Sequence, residues 1–208
     1  RMYSAAFTGI GRYVYELARR LFELDQSNEY VLFFNEPEFS KFIAPNDRVH
    51  KRLVNAKHYS LREQTIFWKL LQEENLDLMH FTHFNAPVFY VRPSVVTIHD
   101  LTLSFFPGKK MTSWIYRLGY HLSISTAVKK ARKIIAVSEN TKKDLQHLFK
   151  ISSDRIAVIY EAVDQSFQKT TDARLLEVAR KKYGINKPFL LYTGVWRSHK
   201  NLVNLIRA

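Results

Sequence analysis

Short apolar runs alternate with amphipathic segments of helical length along almost the whole chain, and this alternation constrains the fold most strongly. Strands that are apolar on both faces must be covered on both faces, which is typical of parallel sheets. Helices placed between such strands act as right-handed crossovers. The sequence therefore predicts an α/β fold with a Rossmann-like, doubly wound parallel sheet.

The elements can be placed approximately from periodicity and from turn and capping residues. The predicted strands are Tyr30–Phe34, Arg48–Val54, Leu76–Phe81, Ser94–Ile98, Lys133–Val137, Arg155–Ile159 and Pro188–Gly194. The predicted helices are one that follows Gly9–Ile10–Gly11, then Ser60–Glu74, Thr112–Ala131, Glu139–Phe149, Asp172–Tyr183 and Asn201–Ala208. The pair Ser60 and Glu63 has the spacing of a capping box.

Polar residues interrupt the strand character near residue 160, and this position is the predicted domain boundary. We expect a first domain at 1–160, a linker at 161–171 and the start of a second domain at 172–208. The remainder after the linker is too short to bury a core by itself. The first strand is expected to precede Arg1, so the sequence is interpreted as a piece of a longer protein with a truncated second domain.

The net charge is unusual. The chain contains 32 Lys and Arg residues and 19 Asp and Glu residues, which gives a net charge of +13. Such a bias favours anionic partners such as a membrane surface, nucleic acid or phosphorylated ligands, or else a solvated basic surface. The absence of cysteine excludes disulfides and thiolate metal sites. No apolar run is long enough to span a bilayer, and no signal peptide is apparent at the start, so we expect a cytoplasmic location.

Ligands of doubly wound sheets bind beyond the carboxyl ends of the strands, where candidate residues can be sought. Gly9 and Gly11 directly precede a helix, so backbone amides there could bind phosphate. A tight turn between helix and strand is the alternative. Arg197 and Lys200 lie between the last predicted strand and the last helix. Cations beside the start of a helix can bind an anion. A solvated basic loop is the alternative.

His99 and Asp100 end an apolar strand and are therefore presented to the cleft. Such a pair could bind a sugar hydroxyl or move a proton, or it could merely cap the strand end. Ser138 and Glu139 end the next strand and could reach the same cleft, although helix capping is their simpler role.

A metal site at His80 and His83 is not expected. Residues three apart on a strand point to opposite faces, and no clear third ligand accompanies them.

Taken in order, several segments together resemble glycosyltransferase family 4, a large group of retaining enzymes with the GT-B fold. The similar stretches are Gly9–Tyr13, Asp77–Phe81, Val95–Leu101, Ile134–Lys142, Val158–Asp164, Leu191–Gly194 and His199–Leu202. They cover nearly the whole chain in collinear order, which is more specific than any one motif.

The resemblance implies two Rossmann-like domains, an acceptor-side domain and a nucleotide-sugar domain. It assigns Gly9 and Gly11 to the donor phosphates, His99 to the transferred sugar, and Lys200 to the diphosphate, with Arg197 assisting. Cations that neutralise the departing diphosphate make a metal unnecessary, so no metal or other cofactor is expected. The implied reaction transfers a hexose, mannose or similar, from a nucleotide-diphosphate sugar to a glycan or lipid-linked acceptor in cell-surface polysaccharide synthesis.

Relatives often bind anionic membranes through a basic, aromatic-bearing face of the first domain. The residues that would form it here are Lys109, Lys110, Trp114, Tyr116, Arg117 and Tyr120. Burial of the aromatic residues in the core is the alternative. Two other functions stay open. One is a basic nucleic-acid-binding module, but the sequence has no recognised motif of that kind, so nucleic acid is not an expected partner. The other is a glucan synthase or phosphorylase of the same fold.

Three departures from the family pattern limit these assignments. Val195 stands where many relatives have arginine, which weakens the role of Arg197. Glu161–Ala162 replaces the frequent Asn-Gly of the interdomain segment, a change expected to affect the hinge rather than the chemistry. The paired glutamates that contact the donor should lie beyond Ala208, so the 208 residues alone are expected to be inactive.

Overall fold

A computed structural model describes residues 9–56, 58, 60–107, 113–163 and 167–208. The chain divides into two compact units between Glu161 and Ala162, and each unit is considered by itself. Every strand pair in the described part of the chain is parallel. The α/β architecture with a parallel sheet is therefore confirmed.

The first unit begins with helix α1 (Gly9–Leu24) and a small parallel sheet of β1 (Tyr30–Phe34) and β2 (Val49–Leu53). The short helix α2 (Glu38–Lys41) connects the two strands. An apolar cluster holds this layer together through residues contributed by the helix, the strands and the connection: Phe22, Phe34, Phe42 and Val49. Both strands are aligned over five residues, from Tyr30 opposite Val49 to Phe34 opposite Leu53.

A second sheet contains four parallel strands in the order β3 (Met79–Phe81), β4 (Ser94–Ile98), β5 (Lys133–Ala136) and β6 (Ile156–Val158). The central strands carry the main core, because Val96, Ile98 and Ile134 are almost completely buried. This burial on both faces is what their apolar sequences require.

Helices pack on this sheet and close its core. They are α3 (Trp68–Glu73), which follows a π-helical turn at Glu63–Phe67, the short α4 (Thr102–Phe105), α5 (Trp114–Lys130) and α6 (Glu139–Phe149). Among the helices of the described ranges, none is long and apolar enough to cross a bilayer.

The parallel strands do not form one continuous sheet, since no described strand joins β1 to β3. A cavity of about 820 Å³ lies between them and is lined by β1, by β3 and by α1 side chains such as Val14 and Leu17. His80 and His83 form part of its wall, whereas His99 does not.

The second unit contains α7 (Ala173–Tyr183) and α8 (Leu202–Arg207), with a 3₁₀ turn at Ser198–Lys200. Asp172 caps α7 by accepting hydrogen bonds from the Arg174 and Leu175 amides, and Gly184 ends it with φ of 63°. The predicted strand at Pro188–Gly194 is wrong, because this segment has no strand partner in the described ranges and its side chains are exposed. Apolar sequence alone does not make a strand where no neighbouring strand is present to pair with it.

The predicted capping box is only half formed. The Ser60 hydroxyl accepts a hydrogen bond from the Glu63 amide at 3.3 Å, as the pattern requires. The Glu63 carboxylate, however, is fully buried and accepts hydrogen bonds from the Asn85 side-chain amide at 2.8 Å. A buried carboxyl group needs such a partner, so the tertiary contact takes precedence over the local cap.

Helix α6 ends at Lys150, whose φ of 55° lies in the left-handed region that favours glycine. We expect Lys150→Gly to raise the free energy of unfolding by about 1 kcal/mol, because glycine removes the Cβ strain. Denaturant unfolding measures the change. Lys143→Gly, the same substitution at an exposed position inside α6, should lower stability by about 1 kcal/mol. Equal effects of the two substitutions would contradict this assignment.

Candidate active site at the carboxyl end of β4

The carboxyl end of β4 carries a cluster of polar side chains. Thr97, within the strand, is fully buried, and His99 follows directly after it. Helix α1 reaches the same place through Tyr13, whose ring meets the His99 ring edge-on with centroids 4.8 Å apart. Helix α6 reaches it through Thr141, whose hydroxyl donates to the His99 carbonyl oxygen at 3.3 Å. Three elements therefore converge on His99.

Both ring nitrogens of His99 are hydrogen-bonded. Nε2 lies 3.0 Å from the Thr82 carbonyl oxygen, and Nδ1 lies 2.9 Å from a carboxylate oxygen of Glu161. Only 12% of the His99 side chain is exposed, whereas 47% of the Glu161 side chain is. The histidine is thus held in place, and the glutamate lies on the solvent side of it.

A second set of hydrogen bonds near His99 is centred on Thr97. The Thr97 hydroxyl is 2.8 Å from Nε2 of His80 and 3.2 Å from the Tyr13 hydroxyl. His83 stacks on His99 with ring centroids 6.5 Å apart. Side chains from α1, β3 and β4 are therefore joined into one polar network.

Burial determines the protonation of this network. It lowers the pKa of His80 to about 4, and the positive charge of a protonated His99 lowers it further. Burial likewise lowers the pKa of His83 to about 4. The pKa of Tyr13 is raised, first by burial and also by the negative charge of Glu161. All three side chains are consequently uncharged at neutral pH.

The glycines predicted to approach a ligand lie in the first turn of α1. Gly9 is exposed, and a Cβ added there would meet nothing within 4 Å. Gly11 is buried. The same helix carries Tyr13 to His99, so the glycine turn and the histidine belong to one region of the first unit.

The predicted polar residues at the strand ends lie where the next helices begin. The Asp100 carboxylate accepts a hydrogen bond from the Thr102 amide at 2.8 Å, at the start of α4. Ser138 is the N-cap of α6, because its hydroxyl accepts from the Thr141 amide at 3.1 Å. Glu139 is exposed in the first turn of α6. Their predicted roles in ligand binding stay predictions.

Arg197 and Lys200 belong to the second unit. Lys200 ends the 3₁₀ turn, and its amide donates to the Arg197 carbonyl oxygen at 2.9 Å. Both residues are exposed. The turn immediately precedes α8, so two cations stand next to the start of this helix, as the sequence predicts.

Two features of the network are not predicted from the sequence. His80 and His83 were expected on opposite faces, but both lie against the group formed by Thr97 and His99. The reason is that β3 ends at Phe81, so the strand alternation does not extend to His83. Glu161 was assigned to the linker, because a contact with a residue 62 positions away leaves no local signal.

Within the ranges that the structure describes, no three His, Asp or Glu side chains converge as metal ligands. The histidine network is instead satisfied by hydroxyl, carbonyl and carboxylate oxygens.

The sequence profile described as Glycosyltransferase Family 4 matches residues 7–167, which include the whole histidine network. The chain belongs to glycosyltransferase family 4. Its arrangement of parallel strands and helices is that of a GT-B, Rossmann-like domain.

Two similar relatives are both O-antigen chain mannosyltransferases. The O-antigen chain mannosyltransferase RfbU of Salmonella typhimurium is 25% identical over 138 residues, which are 66% of this chain and 34% of the relative. The O-antigen chain mannosyltransferase B of Escherichia coli is 23% identical over an alignment of 214 positions, which covers 97% of this chain and 56% of the relative. The family 4 chain therefore spans between one third and just over half the length of these relatives.

A glycosyltransferase from Rickettsia africae has a similar solved structure. It aligns over 97% of this chain and 54% of its own, with a TM-score of 0.52 and 20% sequence identity. At this identity the similarity concerns the fold.

The low pKa values of His80 and His83 make stability depend on pH. Both values lie below the ordinary 6.5, so the unfolded chain binds more protons between about pH 6.5 and pH 4. The free energy of unfolding should therefore fall as the pH decreases through this range. In His80→Gln, whose amide can still bond Thr97, we expect the fall to be smaller by about 1–3 kcal/mol.

Denaturant unfolding at a series of pH values measures this effect. His147→Gln, at an exposed position of α6, is the matched control and should retain the wild-type pH dependence. An unchanged slope in His80→Gln would contradict the assignment of a buried, neutral His80.

Proposed function

We propose that this chain is part of a retaining glycosyltransferase that moves a hexose, mannose or similar, from a nucleotide-diphosphate sugar to a glycan or lipid-linked acceptor. The observation that carries the proposal is the His99 network at the carboxyl end of β4, where ligands of such sheets bind. The two O-antigen mannosyltransferase relatives support the choice of sugar and of cell-surface polysaccharide synthesis.

In this proposal the first unit holds the acceptor and the reacting sugar. The transferred hexose lies against the His99 end of β4, and Asp100, Ser138 and Glu139 surround the hydroxyl groups of the substrates. Gly9, which has open space around it, lets the donor phosphates approach the backbone at the start of α1.

The second unit supplies charge to the departing diphosphate. Cleavage of the sugar–phosphate bond concentrates negative charge on the leaving group, and preorganised cations stabilise it. Lys200 takes this role and Arg197 assists. Because these cations balance the charge, we propose that the reaction proceeds without a divalent metal or another cofactor.

Transfer of labelled mannose from its nucleotide diphosphate by the intact protein tests these roles. Lys200→Ala should lower kcat about 100-fold, and His99→Ala about tenfold or more, because each removes a group at the reacting centre. Lys181→Ala removes an exposed lysine that pairs with Glu177 and should leave transfer unchanged. EDTA should also have no effect.

The outcomes separate the rival functions. Unchanged turnover in both Lys200→Ala and His99→Ala would contradict the assigned site. Salt-dependent binding of random oligonucleotides without donor turnover would favour the nucleic-acid-binding module. Turnover of a soluble glucan without lipid would favour the synthase or phosphorylase.

The start of α5 exposes apolar side chains that a folded core would hide. Trp114 is 71% exposed and Tyr116 is 64% exposed, and Ile115 and Leu118 beside them are exposed as well. Tyr120 is different: it packs edge-on against Phe84, and its hydroxyl lies 3.1 Å from that of Ser104. Of the predicted membrane face, Tyr120 is therefore half-buried and packs against the core, and Lys109 and Lys110 lie outside the described residues.

We propose that this end of α5 binds an anionic membrane surface at the cytoplasmic face. The helix carries Arg117 and contains no acidic residue, so it suits an anionic headgroup region as well as an apolar one. A lipid-linked acceptor would be reached from such a surface. The net charge of +13 gives the same preference at longer range.

Co-sedimentation with phosphatidylglycerol-containing vesicles checks the membrane proposal. Trp114→Ala should weaken binding about tenfold, because it removes a large apolar side chain from the interface. Trp196→Ala, which removes an exposed tryptophan from the second unit, is the control and should bind as the wild type does. Equal binding by all three proteins would contradict the assignment.

A further inference from the structure

The ring of His99 is fully engaged by the protein itself. The Thr82 carbonyl oxygen can only accept, so Nε2 of His99 carries the proton of that bond. A second proton must lie between Nδ1 and the Glu161 oxygen 2.9 Å away. This proton joins the ring and the carboxyl group into one hydrogen-bonded pair. Neither nitrogen is then left to bind a sugar hydroxyl.

The other titratable groups that face this ring are Tyr13 from α1, His80 and His83 from β3 and the segment after it, and Asp100 next in the chain. The two histidines are neutral because burial lowers the pKa of each to about 4. Asp100 is engaged by the Thr102 amide. Glu161 is therefore the carboxyl group that pairs with the His99 ring.

Glu161 uses only part of its own hydrogen-bonding capacity. Its Oε1 atom meets His99, whereas its Oε2 atom makes no hydrogen bond with any residue that the structure describes. Nearly half of the side chain is exposed, at 47%. A carboxylate oxygen that is fixed on one side and open to solvent on the other is suited to accept a hydrogen bond from a hydroxyl group.

We propose that Glu161 is a sugar-binding residue, whose Oε2 atom accepts a hydrogen bond from a hydroxyl of a bound hexose. His99, fixed by Thr82, is the positioning residue that holds this carboxylate. The inference rests on the proposed function, and it moves the direct contact with the sugar from the imidazole to the carboxylate. The hexose is that of the donor or that of the acceptor, which share this chemistry.

Calorimetric titration of the intact protein, with the nucleotide-diphosphate mannose and a soluble mannose oligosaccharide added in separate experiments, tests the proposal. Glu161→Ala should weaken one of the two ligands about tenfold or more, the size of a charged hydrogen bond. Glu161→Gln keeps an acceptor oxygen without the charge and should lie between Ala and wild type. The ligand that weakens identifies the hexose.

Glu29→Gln is the matched control, because Glu29 is also an exposed carboxylate beside a histidine, 3.7 Å from His50. It should bind both ligands as the wild type does.

A double-mutant cycle tests whether His99 and Glu161 act together. If His99 only positions Glu161, the double Ala variant should bind no worse than the weaker single variant. Additive losses in the double variant would overturn the inference alone. So would a Glu161→Ala variant that binds both ligands within twofold of the wild type, provided that the wild type transfers mannose. A wild-type protein that neither binds nor transfers mannose would overturn the proposed function, and the inference with it.

Discussion

The hydrogen-bonded ring of His99 is the interaction on which the candidate site depends. It connects the end of β4 to the segment after β3 through Thr82, and to the end of the first unit through Glu161. Tyr13 brings the first helix against the same ring. The site is therefore built by the tertiary fold, because Tyr13 and Glu161 are 148 positions apart in the sequence.

Burial gives this arrangement its chemical character. Three histidines lie close together, which would be unfavourable if all of them were charged. The structure avoids this because burial keeps His80 and His83 neutral, and His99 pairs with the Glu161 carboxylate. The result is a histidine–carboxylate pair beside two neutral histidines, with the Asp100 carboxylate near His83. Such a site suits a neutral, hydroxyl-rich ligand, and the anionic part of a nucleotide sugar needs cations from elsewhere.

Much of the fold could be predicted from the sequence, because apolar runs such as Tyr30–Phe34 and Ser94–Ile98 contain their own strand signal. The break between β1 and β3 and the missing strand at Pro188–Gly194 could not, since pairing depends on which strands are neighbours. His99 was found because it ends a strand. Glu161 was not, because its partner is distant in sequence and its role appears only when the ring contacts are known.

The central claim is that a hexose binds at the His99 end of β4. A crystal structure of the intact protein with a nucleotide-diphosphate mannose bound is the most direct measurement. Hexose hydroxyl groups should lie within hydrogen-bond distance of the His99–Glu161 pair, with the contact between His99 and Thr82 retained. A donor sugar bound away from this pair, with Glu161 exposed only to solvent, would contradict it.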